Sequence, residues 1–267
     1  MRETLTRLLS GIVYILLLAA AVFYSVESFL LLFWVFMMIA VVEFCSLIKL
    51  PKTIPMIAAA AIYMLFAFFP VTFVMLHLLL LATIFVSAKC IIFLFDDSPQ
   101  RFEKTTKYVY LFGYIVLPFT LLAKIPLQDD YYEPNIIFGI FILIWTNDTF
   151  AFIVGKTMGQ NKLFERVSPK KTIEGFIGGV GFAVVMSAII ARYFSDLHWF
   201  VWMVTALIIG IVGTIGDLVE SKFKRLAGVK DSGNIMPGHG GILDRLDSVI
   251  FAAPFVFLFY QILYHVS

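Results

Sequence analysis

The chain has 267 residues, of which 61% are hydrophobic and 14% are charged, and its mean hydropathy is +0.96. Soluble domains carry roughly 25% charged residues, so this composition excludes an ordinary soluble protein and indicates an integral membrane protein. The formal net charge of +2 gives no support for nucleic-acid binding.

Apolar segments long enough to cross about 30 Å of hydrocarbon recur along the whole chain. We predict an all-α polytopic membrane protein of about nine transmembrane helices, forming one membrane domain over 1–267. Residues 1–130 hold the N-terminal spans, and 131–267 hold the spans and loops with the polar motifs. The division near Pro70 is the weakest, because two spans almost touch there. The predicted spans are 8–24, 29–48, 54–70, 72–95, 108–123, 135–155, 173–191, 199–219 and 246–264.

The first span begins like a signal peptide, since Arg2 and Arg7 precede an apolar run. The apolar residues continue past the small residues at 19–21, so we predict an uncleaved first span. Cys45 and Cys90 lie in predicted spans without metal-ligand spacing. We expect both cysteines to pack as small apolar side chains.

Basic residues concentrate in alternate connections between the predicted spans. Lys124 and Arg192 lie in the opposite connections, and Lys89 lies near the end of the fourth span. Because short loops rich in Lys and Arg stay inside, we predict a cytoplasmic N-terminus, cytoplasmic active-site loops and an external C-terminus. The basic residues on the predicted inner side are Arg2, Arg7, Lys49, Lys52, Arg101, Lys104, Lys107, Lys156, Lys162, Arg166, Lys170, Lys171, Lys222, Lys224, Arg225, Lys230 and Arg245.

Acidic residues also occur at the predicted inner ends of several spans. An ionised side chain at the centre of a membrane helix costs roughly 2.5–3.5 kcal/mol on insertion scales. Acidic residues within spans therefore indicate a functional site. Their similar depth predicts one polar mouth at the cytoplasmic surface. The acids are Glu43, Asp148, Asp217, Glu220, Asp244 and Asp247.

Two acid-bearing helix ends joined by a short loop predict a metal site. Asp217 shares a helix face with Gly210 and Gly213, and Asp244 opens the last span after a glycine-rich turn around His239. Mg²⁺ prefers one or two carboxylates and completes its coordination with water and substrate phosphate. We therefore predict Mg²⁺ on Asp217 and Asp244.

Basic residues beside these acids predict phosphate binding. The Lys ammonium supplies a point charge, and the Arg guanidinium can donate two parallel hydrogen bonds to a phosphate. The alternative is that they only fix the topology, and His239 is equally a structural turn residue. The basic residues of this segment are Lys222, Lys224, Arg225, Lys230 and Arg245.

The preceding loop is a second polar constellation, which follows Asn147 and Asp148 in the sixth span. Ser168 is predicted to cap a helix whose first residue is Pro169. The free N–H groups of that helix start, with Lys171 alongside, suit an anion. An ordinary capped membrane helix is the alternative. Glycines in the following helix are predicted to serve packing first: Gly175, Gly178, Gly179 and Gly181.

Together the two segments resemble the phosphatidate cytidylyltransferases, or CDP-diacylglycerol synthases. The resemblance is close over 147–248 and extends to the N-terminal spans by hydropathy alone. Phe150 and Phe152 depart from it, standing where Gly and Tyr are common. The C-terminal signature is present as Ser221, Phe223, Lys224, Arg225, Lys230, Asp231, Pro237, His239, Gly240, Gly241, Ile242, Asp244, Arg245, Leu246 and Asp247. The earlier elements are present as Asp148, Thr149, Ser168, Pro169, Lys171, Thr172, Glu174 and Gly175.

The resemblance implies cytidylyl transfer from CTP to phosphatidic acid, giving CDP-diacylglycerol and pyrophosphate in phospholipid biosynthesis. It also implies Mg²⁺ with a second, monovalent cation, a homodimer, and a place in a bacterial cytoplasmic membrane. The catalytic residues that it implies are Asp217, Asp244, Lys224, Arg225 and Asp247. The implied substrate-binding residues are Asp148, Ser168, Lys171, Thr172, Ser221, Lys222, Lys230, Asp231, His239 and Arg245.

Two other functions share part of this pattern. A transporter also carries intramembrane acids, but its sites are expected near the bilayer midplane and often in paired repeats. The acids here lie near one surface, and the sequence shows no repeat. A CDP-alcohol phosphatidyltransferase would carry an Asp-Gly-x-x-Ala-Arg motif, which this sequence lacks.

Overall fold

The computed structural model describes residues 2–98, 102–128 and 131–266. Within these ranges the chain forms helices at all nine predicted spans, so the all-α polytopic architecture is confirmed. The helices are α1 (Arg2–Tyr24), α2 (Val26–Leu47), α3 (Thr53–Phe68), α4 (Phe73–Phe95), α5 (Lys104–Lys124), α6 (Pro134–Met158), α7 (Ile173–Tyr193), α8 (Trp199–Ala227) and α9 (Leu243–Val266).

Eight of these helices are long and apolar enough to cross a membrane. The exception is α3, whose 16 residues extend only about 24 Å at 1.5 Å per residue. The division near Pro70 is real: α3 ends at Phe68, and the Thr72 hydroxyl accepts the Met75 N–H at 3.4 Å to cap α4. The described residues thus contain eight full-length spans and one short apolar helix.

The helices form one bundle around α9, which packs against α2, α4, α5, α6 and α8. α5 and α9 are the most enclosed spans, and α1 is the least. An aromatic cluster fills the core around the buried Phe223, whose ring lies 5.0 Å from that of Phe44 and 4.7 Å from that of Phe93. Aromatic pairs at such distances contribute beyond their buried area, so Phe223 ties α8 to α2 and α4.

Glycines let α6 and α7 pack backbone against backbone. A Cβ atom at Gly175 would lie 2.6 Å from the Ala151 carbonyl oxygen, and one at Gly179 would lie 2.7 Å from that of Asn147. Real Cβ atoms do not approach so closely, and this confirms the predicted packing role of these two glycines. Gly181, included in the same prediction, has open space beside it among the described residues.

Two short antiparallel hairpins complete the fold. β1 (Leu127–Gln128) pairs with β2 (Tyr131–Tyr132), and β3 (Lys162–Phe164) pairs with β4 (Ser168–Thr172). The second hairpin joins α6 to α7 and corrects one prediction. Ser168 does not cap a helix, because it lies in β4 opposite Phe164. The cap of α7 is Thr172, whose hydroxyl accepts the Gly175 N–H at 3.1 Å.

Candidate active site

A cavity of about 760 Å³ lies where α1, α6, α7, α8 and α9 meet the β3–β4 hairpin. It brings the two polar constellations of the sequence to one place, beside apolar residues of α1 and α6. The predicted site residues that line the cavity are Asp148, Lys171, Thr172, Asp217, His239, Asp244, Arg245 and Asp247. Other polar residues of its wall include Asn147, Lys156, Lys162 and Lys170.

Asp217 and Lys171 form an ion pair in the cavity wall, with 2.5 Å between Oδ2 and Nζ. The other oxygen of Asp217 accepts the Ser221 hydroxyl at 3.3 Å. Burial lowers the pKa of Lys171 and the neighbouring Asp217 carboxylate raises it, with a net upward direction. The Lys171 side chain is therefore a charged ammonium at neutral pH.

Three carboxylates lie around this ammonium. Asp148 and Asp247 both interact electrostatically with Asp217 and with Lys171. Asp148 is also contacted by the amide of Asn147 at 3.3 Å, and one oxygen of Asp247 accepts the N–H of Ser248 at 2.6 Å. Arg245 also interacts with Asp148, and Lys224 with Asp247, so three basic side chains face the three acids of this cluster.

Lys224 is placed beside the cavity rather than in its wall. Its Nζ lies 2.5 Å from Glu220 Oε2 and 2.6 Å from Asp244 Oδ1, and Glu220 is fully buried. A buried ammonium between two carboxylates ties α8 to the start of α9. The predicted catalytic role of Lys224 stays a prediction. In the structure, Lys224 holds the Asp244 carboxylate in its orientation.

Asp244 is held in place by four donors from three residues. Oδ2 accepts the Ser232 N–H at 2.8 Å, the Ser232 hydroxyl at 2.9 Å and the Gly241 N–H at 2.7 Å, while Oδ1 accepts Lys224. Gly240 adopts φ +89° in the turn between them, a conformation that favours glycine. The glycine-rich turn thus wraps around the carboxylate that opens α9.

Glu43 is the residue whose role sequence reasoning missed. It lies on α2, is only 5% exposed, and accepts the N–H groups of Ile242 at 3.1 Å and Leu243 at 2.9 Å. It also shares the single Ser232 hydroxyl proton with Asp244, at 3.1 Å from the Glu43 oxygen. Glu43 therefore caps α9 from another helix. The available signal was its depth, since an acid inside an apolar span requires buried donors.

α1 supports the turn that carries His239. The Ser10 hydroxyl lies 2.8 Å from His239 Nδ1 and 3.0 Å from the Pro237 carbonyl oxygen. Burial lowers the pKa of His239, and the positive charges of Arg245 and Arg7 add to that shift. A neutral imidazole is therefore held against α1, which also contributes Gly11, Tyr14 and Ile15 to the cavity wall.

Several predicted residues do not reach the cavity. Arg225 donates to the Val229 carbonyl oxygen at 3.2 Å and closes the end of its own helix. Ser221 contacts Asp217 from outside the wall, and Lys230 and Asp231 are exposed on the α8–α9 connection. Ser168 pairs within the hairpin. The roles predicted for these residues stay predictions, and none of the residues lines the cavity.

Lys222, predicted to bind substrate, is used elsewhere. Its Nζ donates to the carbonyl oxygens of Phe93, Leu94 and Asp96, the last at 2.5 Å, and lies 4.5 Å from the centre of the Phe93 ring. Three carbonyls use all three donors of an ammonium group. Lys222 therefore caps the end of α4 and has no donor left for a phosphate.

Replacing Lys222 with methionine is expected to lower the free energy of unfolding by roughly 1.5–3 kcal/mol, because buried charge-assisted hydrogen bonds are lost. The activity of the folded variant should not change. Denaturant unfolding in detergent and steady-state kinetics measure the two effects, with the exposed Lys104→Met as the matched control. A lowered activity at unaltered stability would instead support the predicted role of Lys222 in the site.

Of the two residues predicted to bind Mg²⁺, Asp217 is better placed for a metal ion than Asp244. Within the described residues, no group of three or more His, Cys, Asp or Glu side chains is placed to hold one. Asp217 fits a Mg²⁺ site built from one or two carboxylates, since its side chain is 31% exposed at the cavity. Asp244 fits less well, because its oxygens already accept four donors and a carboxylate offers about four sites. The Mg²⁺ site on Asp217 and Asp244 stays a prediction.

Fold and cavity together define a multi-pass helical membrane protein with a charged pocket beside its most peripheral helix. The sequence matches the Cytidylyltransferase family over residues 5–263. The chain therefore belongs to this family.

Named relatives agree with that assignment. The chain is 52% identical over 116 residues to a phosphatidate cytidylyltransferase of Staphylococcus aureus (strain COL). It is 50% identical over 116 residues to one of Staphylococcus haemolyticus (strain JCSC1435), and 48% identical over 116 residues to one of Staphylococcus epidermidis. Each alignment covers 43% of this chain and 44% of the relative. The matches thus span less than half the length of these proteins.

Proposed function

We propose that this protein is a phosphatidate cytidylyltransferase, which transfers a cytidylyl group from CTP to phosphatidic acid. The observation that carries the proposal is the charged cavity bordered by α1, the helix least enclosed by the others. Such a cavity admits a water-soluble nucleotide on one side and a lipid on the other. The named relatives support the same activity.

In the proposed reaction, a phosphate oxygen of phosphatidic acid attacks the α-phosphorus of CTP. A P–O bond forms to the lipid phosphate, the bond between the α-phosphorus and the bridging oxygen breaks, and pyrophosphate leaves with that electron pair. The attacking oxygen is already ionised, so positioning and charge neutralisation matter more than a strong base. This suits a wall rich in lysines and carboxylates.

Basic residues of the wall would neutralise the phosphates. Lys171 is held by Asp217, and the neighbouring Lys156, Lys162 and Lys170 add positive charge on the hairpin side. Arg245, which donates to the His239 carbonyl oxygen at 3.1 Å, presents its guanidinium on the α9 side. Charges fixed before substrate arrives stabilise the transition state without reorganisation.

Mg²⁺ belongs to this proposal, with Asp217 as its best-placed ligand and Asp148 and Asp247 in the same electrostatic cluster. When bound, Mg²⁺ neutralises charge on the leaving pyrophosphate. We also propose a monovalent second cation, a homodimer and a place in a bacterial cytoplasmic membrane. The N-terminus and the active-site loops would lie on the cytoplasmic side. The basic residues of the connections support this orientation.

The decisive experiment uses purified protein in detergent with phosphatidic acid, labelled CTP and Mg²⁺. We expect CDP-diacylglycerol and pyrophosphate in equal amounts, and neither product without the lipid. Substituting diacylglycerol, which lacks the attacking phosphate, is the matched control and should give no product. Folded protein that makes no product across lipids and ions would favour a transporter instead.

A further inference from the structure

Tyr14 of α1 is a buried side chain whose hydroxyl the fold does not use. The residue is 8% exposed and its ring stacks on Phe36 at 6.0 Å. Within the described residues, its hydroxyl oxygen is buried without a hydrogen-bond partner. Buried polar groups nearly always have a partner, so this hydroxyl calls for an explanation.

The position of Tyr14 supplies one, because the residue lines the candidate active site. Two charged groups of α9 that also line the cavity, Arg245 and Asp247, interact electrostatically with the Tyr14 hydroxyl. The Arg245 guanidinium and the Tyr14 phenol are two donors for an anionic oxygen in this cavity, whereas the Asp247 carboxylate is an acceptor. The missing partner is therefore expected to be an oxygen of a bound substrate.

The surroundings of Tyr14 favour the lipid over the nucleotide. Its neighbour Ile15 also lines the cavity and is 40% exposed. Other apolar side chains continue along α1 toward its C-terminal end, away from the proposed cytoplasmic surface, including the exposed Leu16 and Leu17. The lysines of the cavity lie instead on α6 and on the hairpin after it. A lipid phosphate at Tyr14 would place its acyl chains along an apolar helix face.

On the basis of the proposed function, we propose that the Tyr14 hydroxyl donates a hydrogen bond to the phosphate of phosphatidic acid. Tyr14 is then a substrate-binding residue that the family motifs do not include. The hydroxyl makes no bond that the fold needs, so its removal affects the bound lipid and not the folded protein. Lipid binding should therefore weaken while the stability of the free protein does not fall.

The test compares Tyr14→Phe with wild type in mixed micelles, with phosphatidic acid and CTP varied separately. We expect the KM for phosphatidic acid to rise about tenfold, the usual loss for a hydrogen bond to a charged group. The KM for CTP should stay within about twofold, and the thermal midpoint without substrate should not fall. The lipid-induced rise in that midpoint, measured without CTP, should shrink.

Tyr114→Phe is the matched control. Tyr114 is 1% exposed and its hydroxyl also lacks a partner among the described residues, but it lies outside the cavity wall. Its KM values should equal those of wild type. An unaltered lipid KM in Tyr14→Phe, a rise in the CTP KM instead, or a lowered thermal midpoint would each overturn the inference. An inactive wild type would instead overturn the proposed function, and the lipid substrate with it.

Discussion

Replacing Asp217 with asparagine is expected to lower kcat/KM by roughly a hundred- to a thousandfold, the usual effect of losing one group that stabilises charge at a reacting centre. Asp217 fixes the Lys171 ammonium at 2.5 Å and belongs to the carboxylate cluster with Asp148 and Asp247. The change removes negative charge from the cluster and frees Lys171 from its partner. Initial rates with labelled CTP measure the loss.

Stability separates this effect from unfolding. The side chains of Lys171 and Asp217 are 28% and 31% exposed, so their ion pair contributes less than about 1 kcal/mol to folding. The thermal midpoint of Asp217→Asn should therefore stay close to that of wild type. Asp196→Asn, an exposed acid in the α7–α8 connection, is the matched control and should retain full activity. An active Asp217→Asn variant would remove Asp217 from the essential residues.

A Mg²⁺ titration of the same variant distinguishes two roles of Asp217. If Asp217 is a metal ligand, the Mg²⁺ concentration for half-maximal activity should rise at saturating CTP. If it only holds Lys171, that concentration should stay unaltered while the KM for CTP rises. The second pattern would contradict the predicted metal site and preserve the catalytic assignment.

The sequence predicted the spans well because hydropathy averages over many residues and tolerates local errors. Its ends were less certain, and α8 shows why. The predicted span stops at residue 219, where charged residues begin, and the helix continues at the expected spacing through Glu220 and Lys224 to Ala227. Glu220 and Lys224 are buried as partners of each other, and Gly228 at φ +73° ends the helix. A hydropathy scale scores each charged residue separately and does not account for buried ion pairs.

Local pattern predicted which residues of one segment lie together, and it predicted contacts between distant segments less well. Asp217 and Asp244 line one cavity, as the pattern suggested, but the same pattern assigned Lys222 to substrate, and its ammonium donates to three carbonyl oxygens at the end of α4. Ser168 was given a cap because Ser-Pro is typical of helix starts, whereas strand pairing with β3 decides its position. Glu43 meets Leu243 across 200 positions of sequence. A contact between residues so far apart in sequence cannot be predicted from a local pattern.

Replacing Glu43 with glutamine is expected to lower both stability and activity. Its carboxylate accepts N–H groups at the start of α9 and shares the single hydroxyl proton of Ser232 with Asp244. A glutamine amide would turn an NH₂ group toward these donors, so we expect a loss of roughly 3 kcal/mol in the free energy of unfolding. A displaced α9 start should also lower kcat/KM by roughly a hundredfold, because small misplacements of reacting groups are costly.

Kinetics on the folded fraction decide whether Glu43 positions the site or only stabilises the fold. At a temperature where the variant stays folded, a positioning role requires kcat to fall, with partial recovery in Glu43→Asp, which keeps the charge but has a shorter reach. Glu27→Gln is the matched control, since Glu27 is exposed at the start of the same helix. A destabilised Glu43→Gln variant with full kcat would make Glu43 a structural cap alone. A positioning role instead makes α2 part of the active site, because the carboxylate that orders the start of α9 also bonds Ser232, which holds Asp244.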